Sequence, residues 1–461
     1  MEINPFAAGK SAQLEWPGHI FSPLPDPMRE FIVNGCTYGD VYRLASGILR
    51  LQPPDKEDRA TICIGTGDKA LIAAALFASL AGGPRVVLPY AFSRQTFEEI
   101  LETLPCIFLC ADQPGDLPPG CEVITPSTLH HESTNSRTFL DPDVPFLMLF
   151  TGGSTGKPKV WSKTPRNMLT EARYLIDTFG ISPDDIFLSS VPPQHIYGLL
   201  FSVLIPFFSS ARVLGGVYTF PGEILRTAAE HGASILVSVP IHYRILKSDD
   251  LQQHNLRMAF SSAGVLDKGD AAYFHKKTGL DIIEIYGSTE TGGVATRRRA
   301  RDGDSWRPLD TVAWKILRER LHVKSDFISP MLPRDAEGFF ATADCAEADG
   351  SRSFILRGRA DDIVKIGGKR VDLASVQAKI KRIPGVRDAV VVSTPTRKGR
   401  QNELAALVAT DIDVLQVRRH IAAVSELYAV PRRIIVTKEI PVSSTGKYDR
   451  AGIERLLAQR K

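Results

Sequence analysis

Apolar residues recur at intervals of three and four behind a turn in residues 36–51, at Val41, Leu44, Ala45, Ile48 and Leu49, which predicts a helix. A short apolar run over 60–64 then predicts a strand. The polar cluster Gly65-Thr66-Gly67-Asp68-Lys69-Ala70 leads from it into an apolar helix through Leu80. The alternation continues with strand 85–88, helix 92–103 and strands 107–110, 123–124 and 146–150. After these come helix 166–179, strand 186–189, helix 224–231 and strands 235–238, 258–261 and 282–285. Strands alternating with helices predict an α/β fold with a largely parallel sheet. Near residue 300 the pattern changes to shorter alternating segments, which read as a small β subdomain over 300–357. Beyond residue 358 the chain reads as a small α+β unit: helix 373–381, strands 389–393 and 405–409, helix 414–423 and strand 433–437. The expected organisation is a large domain over 1–357 followed by a C-terminal domain over 358–461.

Composition narrows the functional classes. Of 461 residues, 43% are hydrophobic and 23% charged, as in ordinary globular proteins. The net charge of +4, from 56 basic against 52 acidic residues, is too slight to predict a nucleic-acid partner. The apolar stretch 197–211 contains Pro206 and is too short to span a bilayer, so it reads as core. The first ten residues lack the basic start and apolar centre of a secretory leader, and six cysteines in a chain this long are not a disulfide framework. A cytoplasmic location is expected. Cys106 and Cys110 lie in one apolar run without paired metal-ligand spacing and read as core thiols. Two basic clusters, 297–301 and Arg397-Lys398 with Arg400, could attract phosphates or an acidic partner, or could be solvated charge runs.

Candidate chemistry begins at Thr151-Gly152-Gly153-Ser154-Thr155-Gly156-Lys157-Pro158-Lys159, directly behind strand 146–150. Its glycines permit close approach of backbone to ligand, and its hydroxyls and lysines suit phosphate oxygens. It is not a Walker loop. Pro158 stands where a Ser or Thr should meet magnesium, and Thr151 stands where the first glycine belongs. A flexible loop of ordinary kind remains the other reading. Gly65-x-Gly67 behind a strand approaches the dinucleotide fingerprint, but the next strand ends in Pro89-Tyr90, with no acidic residue for a ribose. A tight strand-to-helix turn fits it better than a nicotinamide site.

Several stretches taken together resemble the AMP-forming acyl-activating superfamily of acyl- and aryl-CoA ligases, peptide-synthetase adenylation domains and luciferases. The 151–159 loop is similar to that family's Thr-Ser-Gly-Thr-Thr-Gly-x-Pro-Lys-Gly. Tyr286-Gly287-Ser288-Thr289-Glu290 matches its Tyr-Gly-x-Thr-Glu, and Phe340-Ala341-Thr342-Ala343-Asp344 its aromatic-x-Thr-Gly-Asp. Residues 358–371 match its Gly-Arg-x-Asp-Asp-x-Ile-Lys-x-x-Gly-x-Arg-Val almost throughout, and Ser444-Thr445-Gly446-Lys447 matches its terminal lysine loop. These motifs stand in the family's order and cover roughly residues 36–450.

The resemblance implies activation of a carboxylic acid by ATP to an acyl-adenylate, with release of pyrophosphate, then transfer to a pantetheine thiol. It implies ATP, Mg2+ and CoA, with an acyl carrier protein bearing phosphopantetheine as the alternative acceptor. By the same resemblance, Thr151, Gly152, Gly153, Ser154, Thr155, Gly156 and Lys159 hold the departing phosphates. Thr289 bonds the α-phosphate and Glu290 helps hold magnesium. Ser262, Ala263, Gly264, Tyr286, Gly287 and Ser288 belong to the nucleotide site, and Asp344 takes the ribose hydroxyls with Arg359 nearby. Lys447 bridges the carboxylate and α-phosphate as they react. His195, Tyr197 and Gly198 open the acyl pocket, where Gly292 and Gly293 leave room for a chain or ring. Lys365, Gly367 and Gly368 serve the thiol step after a rotation about a hinge at Asp361.

Three positions depart from the family pattern: Gly152 for Ser, Val160 for the loop's last Gly and Ala343 for Gly in the ribose motif. None removes a charged participant. A nicotinamide oxidoreductase built on Gly65-x-Gly67 and a relative that binds nucleotide without catalysis are the competing classes. Retention of Glu290, Asp344, Arg359 and Lys447 speaks against the second.

Overall fold

The computed structural model describes residues 25–53, 58–110, 117–119, 121–129, 140–151, 159–246, 254–360, 363–366, 369–395, 402–424, 429–442 and 448–459. The chain divides into two compact units. One comprises the described residues up to Ala313 together with Lys324–Phe340, and the other comprises Trp314–Val323 and the described residues from Ala341 onward.

Helix boundaries in the first unit follow local chemistry. Thr37 caps helix Tyr38–Leu49 in a reciprocal box with Asp40, and Asp68 caps Lys69–Leu80 by accepting from the Leu71 amide at 2.9 Å. Thr164 and Asn167 form a second box at the start of Pro165–Phe179, which ends at Gly180 in the left-handed region (φ 54°). Helix Lys69–Leu80 is apolar on nearly every side, and a helix of that kind has to be buried. It lies in the main core with Ile62, Val86, Leu147 and the Leu199–Phe207 segment.

Two sheets carry this unit. The six-stranded one runs in the order Val123–Ile124, Ile107–Leu109, Thr61–Ile64, Arg85–Leu88, Leu147–Thr151, Lys159–Lys163. Its pairs are parallel except the last, which is antiparallel, with Thr151 opposite Lys159. In the second, strands Arg212–Val213, Ile186–Ser189, Ile235–Ser238, Met258–Ser261 and Ile282–Ser288 are neighbours in that order and parallel. Gly292–Arg298 and Ser305–Pro308 follow antiparallel. The expected strand 282–285 thus continues to Ser288 and returns through Gly292–Arg298, a strand whose glycines and arginines conceal its pattern.

That return strand also corrects the reading of 297–301 as a surface cluster for Arg297 and Arg299, while Arg301 is exposed beside Asp302. Arg297 is 5% exposed, donates to both carboxylate oxygens of buried Glu284 at 2.8 Å and stacks 4.0 Å from the Trp306 ring. Arg299 is paired with Asp304 at 3.1 Å. Strand pairing places Glu284 opposite Arg297, so a buried carboxylate draws the guanidinium inward.

Gly65 owes its identity to packing, since a Cβ there would stand 2.6 Å from Cys110 Sγ. This is a strand-to-helix turn closed by the Asp68 cap. Cys63, Cys106, Cys110 and Cys121 lie in one apolar cluster with Phe97 and Phe108. No described helix is long and apolar enough to cross a membrane.

In the second unit, Asp344–Ala348 of strand Phe340–Ala348 pairs antiparallel with Phe354–Arg359. Strands Ile363–Ile366 and Lys369–Asp372 form a hairpin. Helix Leu373–Lys381 packs through Val376 and Ile380 with Ala389, Val391 and Leu404. The three-stranded sheet runs in the order Val386–Pro395, Asn402–Thr410, Arg433–Thr437, antiparallel and then parallel.

Candidate active site

The turn between Ile282–Ser288 and Gly292–Arg298 carries Thr289 and Glu290. A Cβ on Gly287 would lie 2.2 Å from the Gly292 carbonyl, so the strands close this tightly only with glycine there. The turn is pinned on several sides. The Ser288 amide donates to Thr291 Oγ1 at 3.1 Å, and the Ser329 amide donates to the Glu290 carbonyl at 2.9 Å. The Gly293 amide donates to Glu171 Oε1 at 2.7 Å. Segment 326–328 is tied in turn to helix Pro165–Phe179, whose Asn167 donates to the Asp326 and Ile328 carbonyls at 2.6 and 3.1 Å.

Two residues that sequence reading passed over support this turn. Lys163 is 1% exposed and its ammonium donates to the Phe327 carbonyl at 3.3 Å. Burial lowers its pKa, opposed by the negative charges of Glu171 and Glu290. Glu171 is 3% exposed, and burial raises its pKa against the Gly293 amide and Lys163. Gly292 has φ 66°, and a Cβ on it would stand 2.5 Å from Glu171 Oε2; one on Gly293 would stand 3.0 Å from Oε1. The space these glycines leave is therefore filled by the Glu171 carboxylate, which revises the reason given for them above. A signal existed: Glu171 interrupts the apolar face Met168, Ala172, Leu175, and Lys163 ends a strand facing inward.

The other expected nucleotide residues lie at strand ends in the same unit. Ser262 Oγ donates to the Ile285 carbonyl at 2.8 Å, which joins two neighbouring strand ends. Ala263 sits at φ 69°, unusual for a residue with a side chain and a sign of local backbone strain. Gly264 is exposed, with Pro240 3.5 Å from where its Cβ would be. The Tyr286 ring lies 5.5 Å from Trp306. Among the acyl-pocket candidates, half-buried His195 opens helix Ile196–Leu199. Tyr197 is buried with its ring 5.1 Å from Phe201. Gly198 passes the Pro192 carbonyl so closely that a Cβ would stand 2.1 Å from its oxygen. Thr151 and Lys159 face each other at the base of the phosphate loop, where the Trp161 indole donates to Thr151 Oγ1 at 3.2 Å. Gly152, Gly153, Ser154, Thr155 and Gly156 lie outside the described residues.

In the second unit Asp344 and Arg359 are cross-strand partners, 3.9 Å apart between charged groups. The Asp344 amide donates to Thr342 Oγ1 at 3.2 Å. Lys365 is on strand Ile363–Ile366. Asp361, Gly367, Gly368 and Lys447 lie outside the described residues. Val442 and Tyr448, the nearest described residues on either side of Lys447, form an antiparallel bridge. There the Tyr448 hydroxyl accepts from Lys381 Nζ at 2.6 Å and donates to Asp388 at 2.8 Å.

Residues 37–338 match the model of the AMP-binding enzyme family, and the chain belongs to that family. It is 25% identical over 350 residues to a sulfoacetate–CoA ligase of Cupriavidus necator, covering 69% of each chain. It is 27% identical over 351 residues to an anthranilate–CoA ligase of Pseudomonas aeruginosa, covering 68% of each. Its fold is that of ATP-bound MatB from Rhodopseudomonas palustris, with a TM-score of 0.82 at 20% identity, covering 100% of this chain and 99% of the other. The o-succinylbenzoate CoA synthetase of Bacillus subtilis in complex with ATP and magnesium ion matches with a TM-score of 0.75 at 19% identity, covering 90% and 93%. The adenylate-forming class and α/β fold expected from the motifs are those observed, and the chain is an AMP-forming acid–thiol ligase by class.

Proposed function

We propose that this protein activates a small carboxylic acid with ATP, releases pyrophosphate and passes the acyl group to CoA. The observation that carries the reading is the pinned Thr289–Glu290 turn over Lys163 and Glu171, in a chain whose family relatives are named CoA ligases. Electrostatic catalysis needs donors fixed before charge develops, and a turn tied by Ser329, Gly293 and Thr291 meets that need. In this reading Thr289 donates to the α-phosphate, and Asp344, with Arg359, accepts from the ribose hydroxyls. Thr151 to Gly156 and Lys159 hold the departing phosphates. Ser262 to Gly264 and Tyr286 to Ser288 border the base, and His195, Tyr197 and Gly198 border the acid.

Glu290 would hold Mg2+. Magnesium commonly takes one or two protein carboxylates together with substrate phosphates and water, so a single partly buried glutamate on a fixed turn fits it. When bound, the ion would draw negative charge from the phosphate oxygens. Lys447 supplies the positive charge between the acid's carboxylate and the α-phosphate. Lys365, Gly367 and Gly368 serve the thiol step after motion at Asp361, in a chain acting in the cytoplasm.

CoA is preferred to a carrier protein because the family relatives are named CoA ligases, and the basic run 297–301 gives Arg297 and Arg299 to internal pairs, leaving Arg301 exposed. The test is pyrophosphate release with a panel of acids, followed by CoA or an acidic holo-carrier protein as acceptor. Lys447→Ala should abolish adenylation and spare thioester formation from supplied acyl-AMP. Equal loss of both half-reactions in a folded variant would overturn the role, and carrier loading without any CoA ester would reverse the choice of acceptor.

A further inference from the structure

At the carboxyl ends of the second sheet's parallel strands lies a group of buried polar side chains that the adenylation chemistry does not use. Ser190 Oγ lies 2.7 Å from Ser238 Oγ and 2.8 Å from His242 Nδ1, so three groups on two neighbouring strands and the following helix form one chain of hydrogen bonds. Ser261 stands beside Ser238 in register on the next strand. The buried Tyr197 hydroxyl has no hydrogen bond of normal geometry among the described residues, and the Ser238 backbone is the polar group facing it. Ser190, Ser238 and His242 are thereby contiguous with the proposed acyl pocket.

A purely structural cluster closes on itself, and this one does not. Gln194 Oε1, Ser261 Oγ and the Tyr197 hydroxyl are buried without hydrogen-bond partners among the described residues. Such orphans are few in native proteins and each calls for a partner. His242 commits Nδ1 to Ser190, while no described residue bonds Nε2 and the side chain keeps some exposure. In open α/β sheets, ligands bind outside the carboxyl ends of the strands, which is where these groups stand.

We propose that Ser190, Ser238 and His242 form the far end of the acid-binding site and select a carboxylic acid bearing a neutral hydroxyl on its chain or ring. The inference rests on the acid-activating reading above. No carboxylate, guanidinium or ammonium group among the described residues hydrogen-bonds any member of the cluster. Burial lowers the His242 pKa, which favours the neutral imidazole. A neutral donor–acceptor set pairs with a hydroxyl and leaves a second carboxylate or a sulfonate unpaired in a buried place.

Binding is measured by calorimetry and adenylation by pyrophosphate release. The acids are matched pairs, 4-hydroxybenzoate with benzoate and 3-hydroxybutyrate with butyrate, together with malonate and sulfoacetate as doubly anionic acids. The expected result is that one hydroxy acid exceeds its unsubstituted partner at least tenfold in both Kd and kcat/KM, because a site built to bond a hydroxyl rejects the analogue lacking it. Both doubly anionic acids should rank below it. His242→Phe should remove the discrimination, whereas His242→Asn, which retains a donor near the Ser190 hydroxyl, should keep part of it. Thermal melting identifies any variant that fails to fold, and Ser190→Ala then gives the same reading with a smaller change. Preference for a plain or doubly anionic acid overturns the proposal, as does discrimination unchanged in folded His242→Phe and Ser190→Ala. Hydroxyl-dependent binding without pyrophosphate release would overturn the adenylation reading and leave this one standing. No binding of any acid overturns both.

Discussion

Lys69 and Lys163 are each 1% exposed in the larger unit, yet their surroundings meet the buried charge by different means. Lys69, in the first turn of helix Lys69–Leu80, donates to the Leu214 and Gly216 carbonyls at 2.6 and 2.7 Å, so it ties the helix to the end of strand Arg212–Val213. Only Asp68 opposes the desolvation that pushes its pKa down to about 7. Lys163 has a single long contact, to the Phe327 carbonyl, and relies on the charges of Glu171 and Glu290. The first region spends hydrogen bonds on architecture. The second leaves its lysine under-bonded and electrostatically coupled to the turn that presents Glu290. A buried cation held by carbonyls marks a joint between elements, and one with a single long hydrogen bond in the field of two carboxylates marks a place to look for chemistry.

The largest effect that sharpens this contrast is expected from Lys163→Met. Lys163→Met leaves the Phe327 carbonyl unpaired and withdraws a positive charge from the field of Glu171 and Glu290, a loss of about 3 kcal/mol on the scale of unsatisfied buried groups. Denaturant melts should show that loss, and Lys163→Met with Glu171→Gln should recover most of it. Adenylation should fall further than the remaining folded fraction explains. A double variant no more stable than the single would break the assignment of the pair.

Lys69→Met should cost about 2 kcal/mol, the scale of leaving buried carbonyls unpaired, with activity per folded molecule preserved. Its signature is in the pH dependence. The folded pKa of Lys69 is depressed below its unfolded value, so the wild-type fold gains stability as pH rises from about 7 toward 10. The variant should lose that slope in Tm. An unchanged slope, or activity lost in step with Lys163→Met, would erase the distinction between the two regions.

Glu171→Gln should have the smallest effect, about 1 kcal/mol, since the amide oxygen still accepts from the Gly293 amide. Because the folded pKa of Glu171 is raised, its share of stability is complete below the ordinary carboxylate range and is lost as pH climbs toward neutrality. Melts between pH 4.5 and 7 should be flatter in the variant. A steeper profile would place the charge elsewhere.

Much of this was legible in the chain itself. Period-two and period-3.6 patterns located most of the parallel strands and helices Tyr38–Leu49, Lys69–Leu80, Arg94–Thr103, Pro165–Phe179 and Pro221–Glu230 to within a few residues, but not helix Lys268–Thr278, strand Lys159–Lys163 or the return strand Gly292–Arg298. Thr37, Asp68 and Thr164 announce helix starts because a short polar side chain there satisfies amides the helix cannot. Resemblance to a known family's motifs, standing in that family's order along the chain, led to the adenylate-forming class. Pairing across space was not legible. That Arg297 turns inward depends on Glu284 lying opposite it, a register set by the whole hairpin. That Gly292 and Gly293 make way for Glu171 depends on a helix more than a hundred residues earlier packing over them. The Ser190–Ser238–His242 chain likewise exists only because two strand ends and a helix meet. Local sequence determines which elements form, since propensity and capping act over one or two turns. Burial, and with it the pKa of Lys163 and the reach of His242, is decided only when distant elements exclude water together.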